Sequence, residues 1–283
     1  MGAAGAVAEY EQIFVERRGA VQLVTLNRPA RLNAWTPLML AEMTTAIIEA
    51  NNDPTVGAIV VTGAGRGFCA GADIGGEFAS NLDARPAAAG DKPHREATRN
   101  GDWVAFCRSS KPLVAALNGA TIGVGLTMVL PFDRILAASS AKISARFIKM
   151  GLVPELASSH FLVARCGWGN ASWLALSGTT ILGDEAKSIG LVDRVVADDL
   201  LLDQAIADAN VLAENPAPQL RMIKALLTQN ATGIDLAAVQ TRELEALKRA
   251  YKTPEHHEAV RAFLEKRPPR FDLIGSADAT VQA

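Results

Sequence analysis

The feature that most constrains this chain occurs twice: an apolar run leads directly into a glycine-rich loop. Residues 58–62 read AIVVT and precede GAGRGFCAGADIGG at 63–76, while residues 113–117 read LVAAL and precede NGATIGVGL at 118–126. Short apolar runs of this kind predict buried strands, and open α/β folds place their chemistry where strands end. Glycine lets the main chain lie close to a ligand. We therefore predict that both loops offer backbone N–H groups to an oxyanion, although either loop alone could be a surface turn.

The first loop matches neither of the common phosphate-binding fingerprints. No Gly-Lys-Ser/Thr follows it, and no helix is predicted to open at its third glycine. A P-loop and a dinucleotide-binding turn need those features. The sequence therefore favours an oxyanion-binding loop over a nucleotide-binding one.

The other segments predict a chain in which strands and helices alternate. Residues 13–17 and 21–26 predict an antiparallel hairpin, and Thr36-Pro37 predicts the start of a helix that ends at 51–54. Repeated strand, loop and helix predict right-handed parallel crossovers. Further predicted elements are a helix at 102–107, a helix from the second loop through Met128, a strand at 134–138, a strand at 192–196, and helices at 200–212, 216–228, 234–251 and 254–266.

Composition excludes several classes of protein. The 283 residues are 49% hydrophobic, enough for one large core, and the formal charge of −2 gives no general attraction for nucleic acid or an anionic membrane. Three cysteines cannot all pair, so we expect a reducing, cytoplasmic setting. No signal peptide or membrane span is predicted. We divide the chain into a flexible tail at 1–9, a core at 10–197, a helical region at 198–271 and a tail at 272–283.

Both glycine loops, together with LNRPARLNA at 26–34 and FLEKR at 263–267, resemble the crotonase family of enoyl-CoA hydratases and isomerases. The resemblance runs from about residue 10 to about residue 271. It implies an α/β fold, a spiral of ββα units with a C-terminal helical trimerisation region, and assembly as a homotrimer or hexamer. It also implies an acyl-CoA thioester as substrate, with no separate cofactor, no metal, and no nucleic acid or membrane as partner.

The resemblance also implies roles for five residues around the thioester. The N–H groups of Ala72 and Val124 would hold the oxygen of a thioester enolate, although the family commonly has glycine where Val124 stands. Thr127 and Phe147 stand where hydratases carry two glutamates, which makes two-glutamate hydration doubtful. Glu155 falls where family isomerases carry an acid/base residue.

We expect the apolar neighbours of Glu155, namely Leu152, Val153 and Leu156, to raise its pKa. The alternative interpretation is that Glu155 caps a helix that starts near Ala157, with Ser158 and Ser159 as accessory caps.

Other residues would bind the remainder of the thioester. The resemblance implies that Arg28 and Arg31 grip the pantetheine and phosphates of CoA, and that Phe263 and Lys266 contact CoA across a subunit boundary. The basic residues at the end of the helix predicted at 254–266 could equally be there because positive charge near a helix C-terminus interacts favourably with the helix dipole. A mobile lid at 75–100 would line the acyl pocket, with Glu77 and Asp83 as alternative bases. The first loop supplies three further predicted substrate-binding residues, Ala70, Asp73 and Ile74. We expect Asp73 mainly to bond its own backbone.

Three functions remain open at this point. The first is double-bond isomerisation through Glu155, the second is hydration of a 2-enoyl-CoA with water held by Glu155 and Thr127, and the third is acyl-CoA binding without catalysis. Hydrolase and decarboxylase chemistry also stay possible on such a scaffold. A hydrolytic triad through His160 is not predicted because no Gly-x-Ser-x-Gly elbow exists, and Cys69 is expected to pack as a small apolar residue.

Overall fold

The larger of two sheets carries the core of the protein. In the computed structural model, which describes residues 10–73, 102–231 and 235–276, this sheet has the strand order β1-β2-β3-β5-β7-β10. The pair β1/β2 is the predicted hairpin, and every other pair in this sheet is parallel. Both β3 and β5 are buried along their whole length, as expected for central parallel strands. The strands are β1 (Ile13–Arg18), β2 (Val21–Leu26), β3 (Ala58–Gly63), β5 (Leu113–Leu117), β7 (Arg134–Ala138) and β10 (Arg194–Val196).

A second sheet consists of short strands that were not predicted, and two of them lie inside the predicted glycine loops. Its order is β4-β6-β8-β9, with the first two pairs parallel and the last antiparallel. Three residues are too few to produce an alternating apolar pattern, so sequence periodicity missed these strands. The strands are β4 (Gly67–Cys69), β6 (Ala120–Ile122), β8 (Lys142–Ser144) and β9 (Ile181–Leu182).

The chain visits the two sheets alternately. Strand β3 of the large sheet is followed by β4 of the small one, then β5 by β6, and β7 by β8. Successive turns therefore stack side by side in both sheets. This arrangement confirms the predicted α/β class and the repetition of ββα units.

The helices that the sequence predicted begin and end close to their predicted positions, whereas the helices Ser158–Ser177 and Gly183–Ser188 were not predicted, apart from a possible helix start near Ala157. Thr36 Oγ1 accepts a hydrogen bond from Met39 N at 3.1 Å and Pro37 is the first helical residue, as the Thr-Pro pair indicated. The helix predicted from the second loop through Met128 is a single turn that ends at Thr127, with Met128 as its C-cap and Pro131 following closely. The helices are α1 (Pro37–Asn52), α2 (Trp103–Ser109), α3 (Val124–Thr127), α4 (Ser158–Ser177, with a kink at Gly167), α5 (Gly183–Ser188), α6 (Leu201–Ala213), α7 (Ala217–Asn230), α8 (Leu236–Ala250) and α9 (Pro254–Glu265).

The C-terminal helices are tied to the core by packing and by one buried cation. Helix α6 packs against β3 and β5. The buried Lys224 of α7 donates to Asp133 Oδ2 at 2.7 Å and to the carbonyl oxygen of Ser110 at 2.9 Å. None of the helices within the described ranges combines the length and the apolar character needed to cross a membrane.

Candidate active site

The two glycine loops touch each other through their backbones. Strand β4 pairs with β6, which sets Cys69 opposite Thr121. A Cβ atom on Gly125 would overlap the carbonyl oxygen of Cys69, so only glycine allows the loops this close. The contact brings the predicted oxyanion donors, one on each loop, to the same end of the small sheet.

Both predicted oxyanion donors have backbone N–H groups available to a ligand. Residues on either side of Ala72 are fixed, because Trp35 N donates to Gly71 O at 2.8 Å and Asp73 N donates to Trp35 O at 3.0 Å. Val124 is the first residue of α3, where an N–H has no acceptor within the helix. Within the described part of the chain, neither the Ala72 N–H nor the Val124 N–H has a hydrogen-bond acceptor. Two such donors can stabilise a developing oxyanion.

Two asparagines brace the first loop, and the sequence analysis missed both. Asn33 is fully buried, accepts from Arg28 N at 2.8 Å and donates to Gly67 O at 2.7 Å. Asn118 accepts from Gly63 N at 3.1 Å and donates to Gly65 O at 2.9 Å. Their positions inside the recognised segments at 26–34 and 118–126 were the available signal. These bonds connect three distant parts of the chain around the site.

The sequence led us to expect that Asp73 mainly bonds its own backbone, but its carboxylate bonds two arginines instead. Its carboxylate accepts from Arg28 Nη2 and from Arg31 Nη2, both at 2.8 Å. These two hydrogen bonds lower the pKa of Asp73 from 3.8 to about 2. Arg28 also donates to Ala34 O at 2.6 Å. Arg28 is therefore occupied by protein groups, whereas Arg31 is 57% exposed and has one carboxylate oxygen as partner.

A cavity of about 350 Å³ lies beside Ala72, and one of its lining residues is a further cationic residue, Arg66. Arg66 is exposed, and no ion pair involving it is found among the residues that the structure describes. Arg66 was not among the predicted site residues, although it stands within the first glycine loop. The lining residues are Ala30, Arg31, Leu32, Ala34, Arg66, Ala72 and Asp73. Two guanidinium groups next to an oxyanion donor can accommodate an anionic ligand.

The positions expected to hold glutamates in a hydratase contain no carboxylate. Thr127 is fully buried, and its hydroxyl has no hydrogen-bond partner among the described residues. Phe147 is buried, and its Cζ atom lies 4.0 Å from where a Cβ of Gly123 would be. Phe147 therefore borders the turn that presents Val124.

Glu155 lies at the start of an unusual turn. Leu156 and Ala157 both have φ of +54°, a left-handed conformation that is costly for residues other than glycine. The N–H of Ser158, the first residue of α4, donates to the carbonyl oxygen of Glu155 at 3.0 Å. The N-cap residue is Ala157, without a side-chain cap, and the Ser158 hydroxyl has no partner in the described structure. Ser158 is therefore not the accessory cap that the alternative interpretation required.

The expected apolar environment of Glu155 is absent from the described part of this chain. Glu155 is exposed, and its neighbours Leu152 and Val153 are exposed as well. Leu156 is half-buried and packs against the core, so the apolar residues next to Glu155 in sequence do not form a shared buried environment with it. Leu152 and Val153 therefore do not bury Glu155 in the single chain, and a raised pKa for Glu155 stays a prediction.

Comparison with known proteins agrees with this arrangement. A family profile described as "Enoyl-CoA hydratase/isomerase" matches residues 16–273. The chain belongs to the enoyl-CoA hydratase/isomerase family. It is 34% identical to the 1,2-epoxyphenylacetyl-CoA isomerase of Escherichia coli K12 over 89% of this chain and 94% of that protein. It is also 32% identical to the 2,3-dehydroadipyl-CoA hydratase of the same organism, over 92% and 98%. A crystal structure of an enoyl-CoA hydratase from Polaromonas sp. JS666 superposes with a TM-score of 0.81 at 29% identity, over 91% and 98%.

Enoyl-CoA hydratase/isomerase relatives therefore include enzymes named as a hydratase and as an isomerase, and family membership alone does not choose between these two kinds of reaction.

The remaining predicted residues differ in where they lie. Ala70 is in the first loop, and its N–H donates to Leu32 O at 3.0 Å. Phe263 is 82% exposed and Lys266 is the left-handed C-cap of α9; neither lines the cavity beside Ala72. Ile74, Glu77, Asp83 and the predicted lid lie outside the described residues.

Cys69 and His160, for which no catalytic role was predicted, form no catalytic arrangement with other described residues. Cys69 is buried, and burial raises the pKa of its thiol to about 11, so it packs as an uncharged group. His160 is exposed on α4 and makes an edge-to-face contact with Phe161. No cluster of three or more His, Cys, Asp or Glu side chains suited to a metal ion occurs in the part of the chain that is described.

Proposed function

We propose that this protein is an acyl-CoA enzyme that holds a thioester enolate with the N–H groups of Ala72 and Val124 and transfers a proton through Glu155. The observation that supports this most directly is a pair of N–H groups, on two loops in contact, that have no acceptor among the described residues. Removal of one oxyanion donor typically costs about 10²–10³ in rate, so this pair would supply much of the catalysis.

Double-bond isomerisation is the reaction that the site favours. It needs one group that removes a proton and returns it at another carbon, and Glu155 is the one predicted acid/base residue in the turn before α4. Hydration by two carboxylates is disfavoured because Thr127 and Phe147 stand at the two positions. Hydration with a single carboxylate is the second candidate, since the unpartnered hydroxyl of Thr127 could hold a water.

We assign the residues that would bind the CoA part of the thioester from their charge and exposure. Arg31 and Arg66 would meet CoA phosphates at the cavity beside Ala72, and Arg28 would keep Asp73 in place. Phe263 and Lys266 would reach CoA bound to a neighbouring subunit of a homotrimer or hexamer. A cytoplasmic location remains a prediction.

Glu155→Gln tests the proton-transfer role. The amide keeps the size of the side chain but cannot act as a base, so turnover should fall by about 10² or more while thioester affinity stays within a few-fold. Thr127→Val should cost much less if isomerisation is the reaction, and more if hydration is. Rates should be measured with 2-enoyl, 3-enoyl and 3-hydroxyacyl thioesters, with products identified by mass and chromatography. A Glu155→Gln variant with nearly full activity on every substrate would remove Glu155 from the mechanism.

A further inference from the structure

A second cavity lies between helices α7 and α8, which pack against each other. Its volume is about 440 Å³, within the range of pockets that hold small ligands. It shares no lining residue with the cavity beside Ala72. Its charged lining residues are Arg221 of α7 and Arg242, Glu245 and Arg249 of α8. We call this cavity the arginine groove.

The sequence spacing gathers these charges on the helix faces that meet at the groove. The three charged residues of α8 recur at intervals of three and four positions, so they lie on one face of that helix. On α7, Arg221 lines the groove together with Met222 and Leu226, both of which are half-buried. The groove therefore combines guanidinium groups with apolar surface.

The arginines of the groove lack counter-charges from the protein. Within the described ranges, none of the three forms an ion pair. Arg242 Nε donates to Asn230 Oδ1 at 2.8 Å, which is a neutral acceptor. Glu245 is the one carboxylate that lines the groove, and it pairs with neither arginine of its own helix. Three guanidinium groups thus accompany a single carboxylate in a chain whose net charge is −2.

A buried cation adds to the positive potential near the groove. Lys111 is 4% exposed, and its Nζ donates to the carbonyl oxygens of Ala50 at 2.8 Å and Asp53 at 2.6 Å. Burial lowers the pKa of Lys111 to about 8, and the positive charge of Arg221 acts in the same direction. Like charges gathered at one place destabilise the folded chain through mutual repulsion, and an anion bound among them relieves that repulsion.

We infer that the arginine groove binds a small phosphorylated molecule at a site separate from the thioester site. Guanidinium groups match the geometry of phosphate oxygens and bond them in pairs. Met222 and Leu226 offer apolar surface to the organic part of such a ligand, and Glu245 can accept hydrogen bonds from its hydroxyl groups. This binding does not depend on the reaction at Ala72 and Val124.

Calorimetric titration of the full chain with inorganic pyrophosphate tests the inference. The titration is made with and without millimolar butyryl-CoA, which fills the cavity beside Ala72. We expect saturable binding of pyrophosphate that persists when butyryl-CoA is present. Arg221→Gln and Arg249→Gln, one on each helix, should each weaken this binding by about 10-fold or more, because each removes a charge-assisted donor. Lys248→Gln is the matched control: it removes the same charge from an exposed position of α8 outside the groove and should stay within 2-fold.

Thermal unfolding provides a second readout. At about ten times its Kd, pyrophosphate should raise the Tm of the wild type and of Lys248→Gln by about 2–4 °C, and it should raise the Tm of the two arginine variants much less. Without ligand, both arginine variants should unfold at or above the wild-type Tm, because each loses a repelling charge and no ion pair. A clearly lower Tm for both would show that these arginines serve the fold, which would overturn the inference.

Three results of the titration would also overturn the inference. The first is the absence of saturable pyrophosphate binding at millimolar concentration, as expected if another subunit fills the groove. The second is equal weakening by all three variants, which would indicate attraction to the overall charge. The third is loss of pyrophosphate binding in the presence of butyryl-CoA, which would assign the probe to the cavity beside Ala72 and leave the proposed function intact. Failure of butyryl-CoA itself to bind would count against the proposed function alone.

Discussion

At the scale of single residues, the charge of Asp73 is the most strongly constrained feature of the site. Two guanidinium groups bond its carboxylate, one to each oxygen, and together they hold its pKa at about 2. A carboxyl whose pKa is lower in the folded than in the unfolded state stabilises the fold above its unfolded pKa. That stabilisation is lost as the pH falls from about 4 towards 2.

Asp73→Asn should therefore change how stability depends on pH. At pH 7 we expect the variant to be less stable by roughly 1–3 kcal/mol, because charge-assisted hydrogen bonds are replaced by weaker neutral ones. Between pH 4 and pH 2 the wild type should lose this advantage, so the two proteins should converge. Urea unfolding at a series of pH values measures the difference. Asp184→Asn, which removes an exposed carboxylate in α5, is the control; a constant gap between Asp73→Asn and wild type down to pH 2 would contradict the prediction.

At the scale of elements, two turns beside the site contain consecutive left-handed residues that are not glycine. One is Leu32-Asn33, in the turn that holds the first loop, and the other is Leu156-Ala157, before α4. Each left-handed residue costs about 1–2 kcal/mol. At Asn33 this cost is offset by three side-chain hydrogen bonds, with Arg28 N, Ala64 O and Gly67 O. Ala157 has no side-chain group that can form a hydrogen bond, so no side-chain bond offsets its strain.

Ala157→Gly should stabilise the protein by up to about 1 kcal/mol. Relief of the left-handed strain outweighs the extra chain entropy of glycine, which is about 0.5–1 kcal/mol. The same substitution at Ala164, an exposed position within α4, should destabilise by about 0.5–1 kcal/mol because no strain is relieved there. Denaturant midpoints of the two variants should thus move in opposite directions from the wild type. A shift in the same direction for both would show that the turn is not strained.

At the scale of the whole molecule, large exposed apolar side chains lie both at residues 148–182 and in the C-terminal helices, where Phe263 is 82% exposed. Val153 is 79% exposed, Trp168 76% and Leu176 75%, and Trp173 and Leu182 are also exposed. Exposed apolar surface of this kind often marks a contact with another protein. We expect it to be covered in the proposed homotrimer or hexamer.

Sedimentation equilibrium should give a mass three or six times that of the 29.9 kDa chain. Leu176→Lys should shift the population towards monomer, because a buried charge in an apolar contact is costly. Phe14→Lys, at an exposed apolar position on β1, is the matched control and should leave the mass unchanged. A wild-type mass of a single chain at micromolar concentration would exclude the assembly.

The sequence by itself determined the features that depend on neighbours along the chain. Buried strands β3 and β5, the hairpin, and the start of α1 at Thr36 follow from apolar runs, turn residues and caps, all of which act within a few residues. The two glycine loops were also recognisable, and the resemblance they carry predicted which N–H groups to consider. Only the tertiary structure decided what those loops contain and what surrounds them. Strands β4 and β6 exist because they pair with each other, and Asp73 meets Arg28 across 45 residues of chain. Burial of Ser158 beside an exposed Ser159 likewise follows from three-dimensional packing, which local sequence does not encode.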